Sequence, residues 1–217
     1  MRYDSITRFL TSAAAVLQKG PVAVILVEDL VEVDSTLRHH LACGFESLLV
    51  LAPPALALPD DLEGAVHVIG HDTVAADAAP AALNPLIARA KPGVWFYYGY
   101  NAEYLFYPFA ETRTVGEMLA FHAEERRNAM LAYVVDLYAA DLGDAPNAVA
   151  LRDAHLDRAG YYALARHNAE GTIEDRQLDF YGGLKWRFEE HANYARRRID
   201  RISLFRAGPG VTLMPDH

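Results

Sequence analysis

Three short and nearly unbroken apolar runs lie in the first half of the chain: VAVILV at residues 22–27, SLLVLA at 47–52 and VWFYY at 94–98. Each is short for a helix and is fenced by turn-forming or charged residues. Pro21 and Glu28-Asp29 flank the first, Pro53-Pro54 closes the second, and Lys91-Pro92-Gly93 and Gly99 bracket the third. Such runs are strands covered on both faces, the pattern of a parallel sheet. Helix-period segments separate them. One covers 33–43, starts near Asp34 or Ser35 and stops at Gly44; another covers 80–90. A further short strand is expected at 66–69. The order strand, helix, strand, strand, helix, strand predicts an α/β fold, a mainly parallel sheet with helices on both faces.

The third run continues into a polar tip. After Gly99 the chain reads Tyr100-Asn101-Ala102-Glu103 before it resumes as Tyr104-Leu105-Phe106-Tyr107. In open α/β sheets ligands bind outside the carboxyl ends of the strands. That places this tip, and the Glu28-Asp29 pair ending the first run, where a ligand would sit. A carboxylate at a strand end can accept hydrogen bonds from a ribose hydroxyl or a base N–H. It is equally the acid that a following helix dipole favours.

Outside this frame the patterns are looser. Residues 3–18 place Tyr3, Ile6, Phe9, Leu10, Ala13, Val16 and Leu17 on one helical face. This predicts an N-terminal amphipathic helix, segment 1–19, packed on one domain, 20–217. It is also the element through which a homo-oligomer would form. Residues 115–142 carry the longest helical pattern, ended by Gly143-Asp144-Ala145-Pro146. Residues 180–188, FYGGLKWRF, read as a turn followed by a strand with Lys185 and Arg187 on one face. Arg196-Arg197-Arg198 and Arg201 form a second basic cluster, and the sequence given closes on His217.

Composition narrows the classes. Among 217 residues, 52% are hydrophobic and 23% charged, which suits a packed globular chain. The formal charge of −9 argues against general nucleic-acid binding. No apolar run is long enough for a membrane span. The single cysteine, Cys43, cannot close an internal disulfide; with the absence of a signal-peptide pattern, this leads us to expect a cytoplasmic protein. There is no Walker-type or Gly-x-Gly-x-x-Gly pattern, which counts against ATP hydrolysis and NAD chemistry. His122 with Glu125 lacks the second helical pair that a di-metal site needs. Cys43, between Ala42 and Gly44 at a helix end, reads as a small buried residue rather than a nucleophile.

Four segments in order resemble the bacterial branch of family 2-like glycosyltransferases, related to family 92, whose fold is of the GT-A class. His39-His40-Leu41-Ala42-Cys43-Gly44-Phe45 before the second strand is similar to that branch's His-Leu-x-x-Gly segment. Residues 94–105 fall where the family carries Asp-x-Asp-Glu-Phe, 180–188 resemble its later Gly-containing strand, and 201–217 resemble its closing segment. The resemblance implies a GT-A-like protein binding a nucleotide-sugar, a UDP-sugar first among them. It would pass the sugar to a glycan, lipid-linked or small-molecule acceptor. It also implies nucleoside contacts at Glu28 and Asp29, and diphosphate contacts at Lys185, Arg187, Arg201 and His217. Aligning Glu103-Tyr104-Leu105 with the family's Glu-Phe-Leu leaves Tyr100 and Ala102 in place of the two metal-binding aspartates. Asn101 and Glu103 are then the remaining donors for Mn²⁺ or Mg²⁺, hard cations that prefer oxygen ligands. Asp175, Asp179 and Glu189 are acids of the later half among which a catalytic base would be sought. The alternative is a non-catalytic relative that binds a nucleotide, glycan or protein partner.

Overall fold

Strand β2 (Val22–Leu26) is fully buried along its length and shows why the sheet lies in the middle of its unit. Ala23 and Ile25 point into one apolar cluster, while Val22, Val24 and Leu26 point into another. Side chains alternate across a strand, so an all-apolar strand needs cover on both faces. Helices α2 (Val33–Ala42), α3 (Asp60–Ala65) and α5 (Val115–Glu124) contribute to the first cluster, and α1 (Ile6–Ser12) and α4 (Ala78–Arg89) to the second.

The computed structural model describes residues 1–193 and 197–215. The chain forms two units, Met1–Met130 joined by the segment from Ile202, and Leu131–Arg201. The first unit is built on a seven-stranded sheet. Its strands are β1 (Arg2–Tyr3), β2, β3 (Ser47–Ala52), β4 (His67–Gly70), β5 (Trp95–Tyr100), β6 (Ala129–Tyr133) and β11 (Asp200–Arg206), in the order β1-β4-β3-β2-β5-β11-β6. Strands β1 to β5 pair in parallel, and β11 runs antiparallel to β5. From β2 the chain steps outward to β3 and β4, then crosses through α4 to β5 on the other flank of β2. The direction of winding therefore reverses between β2 and β5. The predicted α/β class with a mainly parallel sheet and helices on both faces is what the first unit has. Its connectivity fits a Rossmann-like fold.

The second unit is assembled from antiparallel pairs. Strand β7 (Leu137–Tyr138) pairs with β8 (His155–Leu156), and β9 (Tyr162–His167) pairs with β10 (Ile173–Tyr181). The β9–β10 turn is closed by Asn168, whose Oδ1 accepts the N–H groups of Glu170 and Thr172. A short helix, α6 (Gly183–Arg187), follows β10.

Three expectations require correction. The segment 3–18 is not one helix: Tyr3 belongs to β1, α1 begins after a Ser5 cap, and Ala14–Gln18 is a 3₁₀ turn. The apolar face survives because Phe9 and Leu17 are both fully buried. The helix expected over 115–142 is α5 alone. It opens with a capping box, Thr114 Oγ1 accepting the Glu117 N–H and Glu117 accepting the Thr114 N–H. It is followed by Arg126 at φ 57°, a left-handed residue that turns the chain out of the helix. Past that point alternation takes over, and β6 shows alternately exposed and half-buried residues. Finally, Lys185 and Arg187 lie on α6 rather than on a strand, because the chain leaves β10 through Gly182 and Gly183. Among the described residues, no helix is long and apolar enough to cross a membrane.

Candidate functional site

The winding reverses between β2 and β5, and in open sheets of this kind ligands bind in the crevice outside the carboxyl ends of the strands at such a point. Two loops meet there. Asn101 ties them together through both backbone and side chain. Its N–H donates to Leu26 O at 3.0 Å. Its Oδ1 accepts the Glu28 N–H at 2.9 Å, and its Nδ2 donates to Asp29 Oδ1 at 2.6 Å and Val31 O at 3.0 Å. Asp29 Oδ1 also accepts the Val31 N–H at 2.8 Å. The β5 tip closes on itself: the Tyr100 N–H donates to Glu103 Oε2 at 3.1 Å and the Glu103 N–H to Tyr100 O at 3.2 Å.

A layer below supports the tip. The Ala102 N–H donates to Thr36 Oγ1 at 2.9 Å, and Thr36 Oγ1 donates to Glu32 O at 2.6 Å. Ser35 Oγ donates to Glu32 Oε2 at 2.5 Å and lies 2.8 Å from the Tyr104 hydroxyl. From the far side, Thr73 Oγ1 donates to Val27 O at 2.6 Å. Sequence reasoning read Ser35 only as a helix start and gave Glu32 and Thr36 no role. Gly99 was the available signal, since a glycine inside an apolar strand often marks a close approach. A Cβ there would lie 2.5 Å from the Tyr97 hydroxyl and 3.0 Å from Glu103 Oε2.

The crevice is acidic. The Glu28 carboxyl is pushed up by partial burial first, then by the neighbouring charges of Asp29 and Glu103. Beneath it, His40 is fully buried and stacks on Tyr97 with ring centroids 5.1 Å apart. Its Nδ1 lies 2.8 Å from Thr36 O, so the Nδ1–H tautomer donates there. Burial lowers the imidazole to about 4, so the ring is neutral at pH 7. The adjacent His39 places Nε2 2.8 Å from Leu105 O and 3.6 Å from Cys43 Sγ. A ring nitrogen donating to a carbonyl cannot also take the thiol's proton. Burial raises the Cys43 thiol further, which makes it a packed residue rather than a nucleophile.

The expected site residues fall in both units. Glu28, Asp29, Asn101 and Glu103 come together in the first. Lys185, Arg187 and Arg201 belong to the second, where each has a protein partner. Arg187 grips Asp157 with two bonds, Nη2 to Oδ1 at 2.6 Å and Nε to Oδ2 at 3.2 Å, and the Asp157 carboxylate is nearly buried. Lys185 Nζ donates to Arg198 O at 3.3 Å. Arg201 is buried in β11. Arg198 pairs with Asp200 at 2.6 Å. His217 and Arg196 lie outside the described residues.

The donor set does not match a resident divalent cation. Tyrosine and alanine hold the two positions the resemblance gives to aspartates. The Asn101 amide is engaged on three loop groups, and one Glu103 oxygen is engaged on the Tyr100 N–H. Among the described residues there is no group of three or more His, Cys, Asp or Glu side chains able to hold a metal. No family model matches the chain, and no curated protein matches it in sequence.

Proposed function

We propose that the crevice between the ends of β2 and β5 binds the nucleoside part of a nucleotide-sugar, a UDP-sugar by the resemblance. In this reading the protein is a GT-A-like glycosyltransferase relative acting toward a glycan, lipid-linked or small-molecule acceptor. The observation that carries the reading is the meeting of Glu28 and Asp29 with the Asn101–Glu103 tip at the winding reversal. The Glu28 carboxylate accepts hydrogen bonds from vicinal ribose hydroxyls, as acids at strand ends do in dinucleotide folds. Asp29 already accepts from Asn101 and Val31, so it holds the loop and leaves Glu28 as the acceptor for the ligand. The proposal rests on the first unit's crevice alone. Lys185, Arg187 and Arg201 remain diphosphate contacts by resemblance.

A second reading, ligand binding without turnover, is favoured by one observation: the residues in place of the metal-binding aspartates offer no carboxylate. Calorimetric titration with UDP and with a UDP-sugar, each with and without Mn²⁺, tests both. Binding that Glu28→Ala weakens supports the crevice, and the Mn²⁺ arms show whether a cation arrives with the diphosphate. Release of free sugar or transfer to an acceptor separates the catalytic reading from the binding one. No heat with either ligand in either condition overturns the nucleotide-sugar reading.

A further inference from the structure

The amino ends of the same strands carry a second feature. Two turns of similar composition, Lys19-Gly20-Pro21 and Lys91-Pro92-Gly93, precede β2 and β5. These strands are hydrogen-bonded neighbours, with Val22 opposite Phe96. The next strand, β11, runs the other way and brings Arg206 opposite Trp95. Adjacent strands lie only about 5 Å apart, so three cations from distant parts of the chain arrive in one row.

They line one cavity of about 460 Å³. Pro21, Trp95 and Leu119 supply its apolar wall. Trp95 and Leu119 are otherwise buried, at 7% and 2% exposure. Among the described residues, no carboxylate lines it. Glu117, on the helix that covers one side, is occupied by its own capping box and by Arg113.

The three cations also differ from the ion-paired arginines of the chain. Arg38, Arg113, Arg166, Arg187 and Arg198 all sit within 4 Å of a carboxylate. Lys19, Lys91 and Arg206 form no ion pair among the described residues. Arg206 is held in place by neutral groups, Nε donating to Gly93 O and Nη1 to Asn128 Oδ1, each at 3.4 Å. Gly93 makes that approach possible. It sits at φ 96°, and a Cβ there would lie 3.2 Å from Arg206 Nη2. In a chain of net charge −9, three cations around one apolar cavity with no anion of its own are charge-complementary to a ligand that brings one.

We propose that this cavity is a second binding site, for a phosphoryl group carried on a compact apolar body. The phosphoryl oxygens lie against Lys19, Lys91 and Arg206, where hydrogen bonds between ions are short and strong. The apolar part packs on Trp95 and Leu119. A cavity of this volume falls within the range of small-molecule sites. The site lies at the amino ends of β2 and β5, whereas the nucleoside crevice lies at their carboxyl ends. It therefore stands whether or not that crevice binds a nucleotide.

The phosphoryl group could come from a soluble phosphate monoester or from a lipid headgroup, and one experiment separates them. In a Trp186→Phe background Trp95 is the only tryptophan left, and its fluorescence reports the cavity. Phenyl phosphate is expected to change that signal saturably, and inorganic phosphate to compete more weakly because it lacks the apolar part. Lys19→Gln/Lys91→Gln, which removes two exposed charges outside any ion pair, is expected to weaken binding by about tenfold or more. Arg206→Lys, checked for an unchanged thermal midpoint, should weaken it while keeping the charge, because the planar fork is lost. Co-sedimentation is run in parallel with phosphatidylcholine vesicles, with and without phosphatidylglycerol. Lysine-dependent sedimentation with anionic vesicles alone assigns the group to a headgroup. Lysine-dependent phenyl phosphate binding assigns it to a soluble ester. The proposal is overturned if neither probe binds, or if binding is the same in the lysine variant as in the parent.

Discussion

Asn101 Nδ2 and Asp29 Oδ1 lie 2.6 Å apart, a hydrogen bond joining the loop after β5 to the loop after β2 across 72 residues of sequence. With the Asn101 Oδ1 bond to the Glu28 N–H, it fixes the mouth of the crevice. Asn101 is therefore a clasp between strands before it is anything else. That gives the position a measurable consequence.

Asn101→Asp replaces a donor by a second carboxylate facing Asp29. The variant loses the Asp29 and Val31 bonds and gains repulsion. A loss of about 1–3 kcal/mol is expected from leaving these partners unsatisfied. Urea unfolding at neutral pH measures it, and an unchanged midpoint would remove the clasp from the account. Asn101→Ser, shorter but neutral, should fall between the two.

Gly99→Ala places a methyl group 2.5 Å from the Tyr97 hydroxyl and 3.0 Å from Glu103 Oε2. Something must move, and overpacking of this kind destabilises by about 1–3 kcal/mol. Combining it with Tyr97→Phe removes the nearest atom. Thermal midpoints of the single and double variants should show a substantial part of the loss recovered.

His40 predicts an acid limb. Its folded-state value, about 4, lies below the ordinary value of 6.5 because the ring is buried. The unfolded chain thus binds the proton more readily, and stability falls as pH drops from about 6.5 toward about 4. Across that window the contribution is roughly 3 kcal/mol, because each tenfold difference in proton affinity between the two states is worth about 1.4 kcal/mol. Denaturation curves at successive pH values should show the slope, and His40→Leu should flatten it even though the variant starts from a lower stability. A parallel slope in the variant would assign the acid limb to other groups.

Glu28 runs in the opposite direction. Its carboxyl is raised by burial and by Asp29 and Glu103, so ionising it destabilises the folded state as pH rises through its range. Glu28→Gln should stabilise at pH 7 by roughly a few tenths of a kcal/mol, the scale for exposed, screened charges. The gain should vanish at a pH low enough to protonate the carboxyl. The same substitution should weaken UDP binding if the crevice holds the ribose. A variant that is more stable and binds less well is the signature of a charge retained for a ligand.

Arg187→Ala leaves Asp157, 9% exposed at the side chain, without its cation and with the Tyr138 hydroxyl at 3.3 Å. The arginine is half exposed, so the loss should be smaller than for a fully buried pair, about 2 kcal/mol. Asp157→Asn in that background should recover part of it, because a neutral amide needs no cation. A double-mutant cycle by thermal unfolding measures the coupling. Loss of nucleotide binding in Arg187→Ala argues for a diphosphate contact only if the double variant, with its stability regained, still fails to bind.

The sequence by itself determined the central strands. Continuous apolar runs at 22–27, 47–52 and 94–98 demand cover on both faces, and that requirement is local enough to read from residue type. They appear as β2, β3 and β5 within a residue or two of the expected limits. The Glu28-Asp29 and Asn101–Glu103 tips were legible for the same reason, since a strand's end is where its apolar run stops. Tertiary structure decided the rest. Residues 125–142 carry apolar spacing compatible with either period, and only the left-handed Arg126 and the available sheet edge make β6 rather than more helix. The partners of Lys185 and Arg187, Arg198 O and Asp157, are 13 and 30 residues away, beyond what a local run shows. Lys19 and Lys91 read as ordinary turn residues and Arg206 drew no reading, because their meeting depends on which strands are neighbours. Pairing order is a property of the whole sheet, and no local run of residues encodes it.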